Sequence, residues 1–156
     1  MRPALAALAI LTLAACSPAD DPSSPSAATE PAPVLGGVDL GQPVRALGTE
    51  PFWSVELTGS EMIHTGVDHP EQRAPQPEPV VQGTTATWEA ATADGVALRV
   101  TLISTECSDG MSDRTYPLTA MVKLGDLDLT GCAASTAAIM TAGESGLVVE
   151  KAQPAG

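Results

Sequence analysis

The chain is poor in positive charge, and this shortage excludes one class of partner. It carries 7 Lys and Arg against 19 Asp and Glu, which gives a formal net charge of −12. Binding a nucleic acid requires clustered cations that neutralise phosphates, and the basic residues here are scattered singly. We therefore expect no nucleic-acid partner. A cationic protein is an easier partner on charge, and the alternative is that the acidity only keeps a monomer soluble.

Sequence signatures of catalysis and of metal binding are missing as well. The chain has no Gly-x-Ser-x-Gly motif, no acid visibly paired with a histidine, and no phosphate-binding glycine loop ahead of a helix. His64 and His69 lack a third ligand at a spacing suited to zinc. We predict a non-enzymatic protein that needs no metal or other cofactor.

Long hydrophobic runs are also missing, and the one apolar stretch is too short to span a membrane. It extends from Ala4 to Leu13, about half of the roughly 20 residues that a spanning helix needs. It follows Arg2 and leads into Leu13-Ala14-Ala15-Cys16, which resembles the cleavage box of a bacterial lipoprotein signal peptide. The alternatives are a secreted soluble protein and a short membrane helix that happens to hold a cysteine.

The lipoprotein interpretation assigns residues 1–15 to a signal peptide and makes Cys16 the lipidated N-terminus of the mature chain. Because each buried methylene contributes about 0.8 kcal/mol, two or more acyl chains hold a protein stably on a bilayer. By analogy with enterobacterial sorting, Ser17 in the place of an aspartate favours the outer membrane, facing the periplasm. We expect a monomer attached to the cell envelope through its N-terminal lipid.

The chain has only three cysteines, and assigning Cys16 to the lipid leaves Cys107 and Cys132. In an oxidising periplasm such a pair usually forms a structural disulfide. Closing a loop of about 26 residues contributes roughly 3 to 4 kcal/mol on the chain-entropy model. A redox or metal role is the alternative, although no Cys-x-x-Cys motif is present.

Composition divides the rest of the chain into a tether, a folded domain and a C-terminal extension. Residues 16–43 are rich in Ser, Pro and Ala and hold no aromatic residue, so burial cannot offset the entropy of ordering them. They are predicted to form a flexible tether. Residues 44–134 are assigned to the folded domain, in which the proline-rich residues 68–79 are predicted to form a long surface loop.

Apolar and polar residues alternate along several segments of this domain, which is typical of half-buried strands. The strand candidates are residues 44–47, 53–57, 61–65, 80–82, 86–90, 98–102, 118–124 and 127–130. Gly59-Ser60, Asp94-Gly95 and Gly125-Asp126 connect three pairs of them as two-residue hairpin turns. We predict an all-β domain, built as a small antiparallel meander barrel of about six to eight strands, with a β-sandwich as the alternative.

Residues 135–156 form the C-terminal extension and leave three alternatives open. Ser135 is placed to cap a short helix that runs to Ala142 and ends at Gly143. Residues 147–149 fit an edge strand, and a frayed tail is the third alternative.

Two segments stand out from the alternating background: Gly48-Thr49-Glu50-Pro51-Phe52-Trp53 and the loop of residues 106–117. The loop contains Cys107-Ser108-Asp109-Gly110-Met111-Ser112-Asp113 ahead of Tyr116-Pro117, and Gly131-Cys132 follows later. Together these segments resemble the signature of a family of uncharacterised bacterial envelope lipoproteins, over roughly residues 44–134. The resemblance implies a small periplasmic β domain, comparable by analogy to the barrel domains of lysozyme inhibitors and heat-shock lipoproteins.

The loop has two interpretations. Glu106, Asp109 and Asp113 together present oxygens suited to a cation, although their spacing does not follow the calcium-loop pattern. In the structural interpretation, Arg114 pairs with one of the aspartates and side-chain turns hold the loop rigid.

The aromatic residues indicate where a partner would bind. Trp53 and Trp88 share a face with the aliphatic residues of their strands and are predicted to lie in the core. Phe52 then points outward, and beside Tyr116 it is a candidate recognition patch. We therefore predict a lipid-anchored protein with a binding or envelope-maintenance role, whose partner is a cationic protein such as a lysozyme or a cell-wall component. The alternative is a protein that binds a cation or small ligand with the loop of residues 106–113.

Overall fold

The computed structural model describes residues 31–150, which form fourteen β-strands and one helix. The strands are β1 (Val34–Leu35), β2 (Val38–Asp39), β3 (Val44–Thr49), β4 (Phe52–Leu57), β5 (Glu61–Gly66), β6 (Gln72–Pro75), β7 (Val80–Gln82), β8 (Thr85–Ala91), β9 (Ala97–Ile103), β10 (Cys107–Ser108), β11 (Asp113–Tyr116), β12 (Leu118–Leu124), β13 (Leu127–Ser135) and β14 (Ser145–Leu147). The helix, α1, is Thr136–Thr141. Cys16, the predicted signal peptide and most of the predicted tether lie outside the described residues, as do residues 151–156.

Nine of the strands form one antiparallel sheet that curls into a half-barrel, in the order β6-β5-β4-β3-β13-β12-β9-β8-β7. Strands that follow each other in the chain are neighbours on each side, except that β9 pairs with β12 although β10 and β11 lie between them in the chain. Strand β3 joins the two sides by pairing with β13. The prediction of an all-β antiparallel meander is confirmed, with one strand more than the predicted six to eight.

The sheet is open between β6 and β7, although these strands follow each other in the chain. Within the described residues β6 pairs only with β5, and β7 pairs only with β8. Pro75, Pro77 and Pro79 lie at this junction, and proline has no backbone N–H to donate to a ladder. The prolines thus account for a half-barrel rather than a closed one.

The face that the alternating pattern predicts to be buried forms the core. It contains Trp53 and Trp88, as expected, together with aliphatic side chains of β3, β4, β8, β9 and β12. The three predicted turns join β4 to β5, β8 to β9 and β12 to β13, although only Gly125-Asp126 forms the predicted two-residue connection. Gly59, Gly95 and Gly125 have positive φ angles in these turns. Glycine adopts this conformation more readily than other residues, which is why these glycines predicted turns.

The folded part begins earlier than the predicted boundary at residue 44. Strands β1 and β2 form a hairpin, and Leu35, Val38 and Leu40 are buried in the core. Composition did not predict this hairpin because its few apolar residues lie in a segment whose other residues are small or polar. The prediction of an unbroken loop over residues 68–79 is also wrong, since β6 pairs with β5 and buries Ala74.

A smaller layer packs against the outside of β13 and β3. It consists of the three-stranded sheet β10-β11-β14, in which β14 runs parallel to β11, and of α1. The buried residues of this layer and of β13 form a second cluster: Tyr116, Cys132, Ala134, Ala138 and Val148. Within the described residues, the C-terminal extension therefore contains both the capped helix and an edge strand.

Helix α1 follows the sequence expectation closely. The Ser135 hydroxyl caps it by accepting a hydrogen bond from the Ala138 N–H at 3.1 Å, and Ala142 is its C-cap. The edge strand lies at Ser145–Leu147, two residues before the expected position. No helix within residues 31–150 combines the length and the apolar character needed to cross a membrane.

Candidate functional site

The three segments that carry the family resemblance meet on one side of the barrel. Gly48 faces Trp53 across the β3–β4 ladder, and a Cβ atom at Gly48 would overlap the indole ring. A Cβ atom at Gly131 would overlap the Leu47 carbonyl oxygen and lie 2.9 Å from Trp53 Cζ2. Both glycines are therefore required because backbone and indole approach each other closely.

The loop that precedes Tyr116 is fastened to the barrel at two points. Cys107 and Cys132 form the predicted disulfide, with their Cα atoms 5.4 Å apart. The Thr49 hydroxyl donates a hydrogen bond of 2.9 Å to the Asp109 carbonyl oxygen. The disulfide and this bond fix the loop beside the end of β3.

Asp109 organises the loop from within. Its Oδ1 accepts hydrogen bonds from the N–H groups of Met111 and Ser112, at 3.0 and 2.8 Å. Its Oδ2 accepts from the hydroxyls of Ser112 and Tyr116, at 2.7 and 3.2 Å. Burial acts to raise the pKa of Asp109, but these hydrogen bonds stabilise the carboxylate, and the net result is a lowered pKa.

This arrangement favours the structural interpretation of the loop over the cation-binding one. Both carboxylate oxygens of Asp109 are occupied by donors of the loop itself, while Glu106 and Asp113 are exposed. Among residues 31–150, no three His, Cys, Asp or Glu side chains lie close enough together to hold a metal ion.

Two predicted contacts of the loop are different in the structure. Arg114 does not pair with an aspartate within the described residues. Its Nε donates to the Gly143 carbonyl oxygen at 2.7 Å and its Nη2 to that of Ala142 at 3.5 Å, so it binds the end of α1. A cation is favoured there because carbonyl groups at a helix C-terminus lack partners.

Tyr116 is not an exposed neighbour of Phe52, because only 1% of it is accessible to solvent. Its ring lies in the cluster beneath α1, and its hydroxyl binds Asp109. Burial raises the pKa of Tyr116, and the Asp109 carboxylate adds to the increase although the Arg114 guanidinium opposes it. Phe52 is 54% exposed, as the alternation predicts.

A groove of about 500 Å³ lies between the outer face of β3, β4 and β5 and the smaller layer. Apolar residues line it from four places in the chain: Leu47 of β3, Phe52 of β4, Val67 just after β5, and Ile139 of α1. Ser54, Thr65 and Tyr116 also line it, as do Arg45 and Arg114. The groove thus combines apolar surface with two cations.

The electrostatics of the groove differ from those of the rest of the domain. Sixteen Asp and Glu and five Lys and Arg lie in residues 31–150, yet no acidic side chain of this range lines the groove. The three basic residues elsewhere each form an ion pair of 3.1 Å or less with a carboxylate: Arg73, Arg99 and Lys123. The groove therefore holds the two arginines that are least neutralised in the described domain.

Arg45 is positioned by a chain of polar contacts. Its Nε lies 3.7 Å from Glu56 Oε2, and its Nη2 donates to the Ser54 hydroxyl at 3.3 Å. Glu56 accepts a hydrogen bond from the Thr136 hydroxyl at 2.5 Å, and the hydroxyls of Ser54 and Thr65 are 2.9 Å apart. These contacts link Thr136, the first residue of α1, to Arg45 and Ser54, which line the groove.

His64 lies inside the half-barrel, where sequence reasoning did not place it. It is 1% exposed, and neither ring nitrogen has a hydrogen-bond partner within residues 31–150. Burial lowers the pKa of His64, and the charge of His69 lowers it further. Both histidines line a cavity of only about 20 Å³, near the volume of a single water molecule.

The chain matches no family model, and no curated protein or solved structure matches it.

Proposed function

We propose that this protein is a non-enzymatic binding protein of the bacterial cell envelope that is held at the outer membrane by lipid on Cys16. Its binding surface is the groove between β3–β5 and α1. The observation that carries this proposal is the exposed Phe52 beside two arginines, in a groove without acids on a strongly acidic chain. Exposed aromatic and arginine side chains are the residues most enriched at binding hot spots.

The frame of the groove supports a binding role because it is fixed before any partner arrives. The disulfide and the Thr49 hydrogen bond hold the loop against β3. Arg114 holds the end of α1, and Thr136 holds its start through Glu56. A rigid site loses less conformational entropy on binding, which increases affinity for a given set of contacts.

The chemistry of the titratable groups supports a role without catalysis. A general base needs a partner that orients it, and neither nitrogen of His64 has one in the described part of the chain. Asp109, the acid with the most hydrogen bonds in the loop, is occupied with holding that loop together.

Photo-crosslinking in the native envelope tests the proposed surface. A photoreactive residue at position 52 of the full chain should yield a crosslinked partner, whereas one at position 80 should not. Val80 is the control because it is similarly exposed, at 61%, but lies on β7 away from the groove. Equal crosslinking at both positions, or none at position 52, would overturn the proposal.

A cationic protein such as a lysozyme is a second candidate partner, and the charge of the chain favours it. An excess of eleven acidic side chains in the described domain would speed encounter with a cationic enzyme. The full chain mixed with lysozymes of several classes should slow the lysis of cell walls, increasingly so at low salt. Unchanged lysis by every class would exclude this role.

Cation or small-ligand binding by the loop of residues 106–113 is the alternative to groove binding. Its support is a cavity of about 340 Å³ beside the loop, lined in part by Glu50, Ser108 and Asp109. A ligand of the native state must raise its melting temperature. A rise with millimolar calcium or zinc would favour the loop, and we expect none.

A further inference from the structure

We infer that the groove recognises a small carboxylic acid with an apolar body, of about the size of an acylated aromatic amino acid. This inference rests on the proposed function, since it names the chemical class of ligand for the same groove.

The absence of acids from the lining selects for a negative ligand group. Within residues 31–150, each of the three basic residues outside the groove has a carboxylate partner, so a ligand anion would compete with an existing ion pair there. Arg114 has no carboxylate within 4.0 Å among the described residues, and Arg45 has one only at 3.7 Å. A ligand carboxylate in the groove therefore meets one guanidinium without a carboxylate partner and one whose carboxylate contact is long.

Arg114 provides a fixed cation. Its Nε and Nη2 donate to carbonyl oxygens at the end of α1, and these bonds leave Nη1 without a role in holding the helix. Because the backbone positions the guanidinium, little side-chain entropy remains to be lost when an anion binds.

Arg45 provides a second cation that is less constrained. Its side chain is 39% exposed, and its contacts to Glu56 and Ser54 are long for charge-assisted bonds. A planar guanidinium binds a carboxylate through two parallel hydrogen bonds, a geometry that a ligand can offer and Glu56 does not.

The apolar lining excludes ligands that carry charge alone. Leu47 and Ile139 are half-buried, while Phe52 and Val67 are exposed, and together they offer surface to a hydrocarbon or aromatic group. Only two arginines are present, and the acidic chain around them repels a polyanion. A single carboxylate on an apolar body therefore fits better than a phosphate-rich or polymeric anion.

Isothermal titration of the full chain in non-ionic detergent tests this inference with two probes that differ only in charge. N-acetyl-L-phenylalanine carries the carboxylate, and N-acetyl-L-phenylalaninamide lacks it. We expect the acid to bind at least roughly tenfold more tightly than the amide, as is typical for a hydrogen-bonded charge. Raising the salt concentration should weaken binding of the acid and leave that of the amide unchanged.

Variants place the binding in the groove. Arg45→Gln should weaken binding of the acid roughly tenfold without changing the fold, because Arg45 is half-exposed. If Arg114→Gln disturbs α1, Arg114→Lys takes its place because it keeps the positive charge. Arg114→Lys should weaken binding of the acid less than a substitution that removes the charge. Arg99→Gln, at an exposed ion pair on β9, is the matched control and should have no effect.

The outcomes separate this inference from the function on which it rests. Equal affinity for acid and amide, no heat with either probe, or equal effects of Arg45→Gln and Arg99→Gln would overturn the carboxylate inference. If a crosslinked partner at position 52 is found in the same study, the binding function stands with a different ligand. If position 52 captures nothing and the acid still binds tightly, the proposed envelope partner is wrong while the ligand class is supported.

Discussion

The indole ring of Trp53 lies directly over Gly48, its cross-strand partner, and leaves no room for a side chain there. We expect Gly48→Ala to destabilise the protein by about 1–3 kcal/mol, the usual cost of overpacking a core. Urea unfolding measures the change. Gly143→Ala is the control, since nothing lies within 4 Å of its Cβ position, and it should change stability by less than about 0.5 kcal/mol. Similar values for both would show that the indole adapts.

The disulfide should contribute a large part of the stability. Cys107 and Cys132 are 25 residues apart, and on the chain-entropy model a loop of that size contributes roughly 3 to 4 kcal/mol. The double variant Cys107→Ser with Cys132→Ser should lose about that much in urea unfolding, and a reductant should then have no further effect on it. Free thiols at both positions in protein taken from the envelope would contradict the pairing.

Asp109 should make stability depend on pH in the acid range. Its pKa is lowered in the folded state, so the ionised carboxylate contributes stability that is complete above the unfolded value of about 3.9. This contribution is lost as the pH falls below that value. Asp109→Asn should lower the free energy of unfolding by about 1 kcal/mol at neutral pH, a modest value because the loop is exposed to solvent. The variant should also lose less stability than the wild type as the pH falls.

Asp113→Asn is the matched control for that measurement. It makes the same change four residues away, at an exposed side chain for which no hydrogen bond is formed within the described residues. Unfolding midpoints between pH 6 and pH 3 should therefore be unaffected by it. An equal loss in both variants would mean that the loop responds to net charge rather than to the Asp109 hydrogen bonds.

His64 should produce a second pH dependence at a higher pH. Its folded pKa is lowered, so the unfolded state takes up a proton first as the pH falls below the ordinary value of 6.5. Stability should then decrease as the pH falls below about 6.5. His64→Leu should remove this decrease and lose no hydrogen bond, because neither ring nitrogen has a partner in residues 31–150.

His69→Gln separates the two causes of the lowered pKa of His64, which are its burial and the charge of His69. His69 is exposed, and its charge lowers the pKa of His64 less than burial does. The variant should therefore reduce the decrease in stability without abolishing it. A complete loss of the pH dependence in His69→Gln would assign the effect to His69 itself.

The strands of the barrel were predictable because their signals are local. Leu98, Val100 and Leu102 alternate with polar residues and are all fully buried, so one face of β9 follows from the sequence. The hairpins were predictable for the same reason, since a glycine such as Gly125 supplies a positive φ angle within two residues of both strands.

Strands β6 and β1–β2 were not predictable because their stabilising contacts are not local. Ala74 is a small residue among prolines, and only its pairing with β5 shows that it belongs to the core. Leu35 and Val38 lie in a segment whose average composition is that of a linker. Composition averages over a segment, whereas burial depends on individual side chains.

The candidate site was predictable only in part. Phe52, Arg114 and the disulfide were identified from the sequence, but the groove that Phe52 and Arg114 line depends on α1 packing beside β3. Arg114 shows the difficulty most clearly, because its partner Gly143 lies 29 residues further along the chain while two aspartates lie closer. The sequence led us to pair Arg114 with an aspartate because the aspartates are its neighbours in the chain. In the structure, the carbonyl groups at the end of the helix bind the guanidinium instead.

The most direct test of the account is to find where a molecule of the native envelope binds. The ¹⁵N-labelled full chain should be mixed with a soluble extract of that envelope, and the amide resonances that shift should be assigned. We expect the shifts to centre on Leu47, Thr65, Gly66 and Ile139 around the groove. Shifts centred on the loop of residues 106–113 or on β7–β9, or none at all, would contradict the claim that this groove is the binding surface.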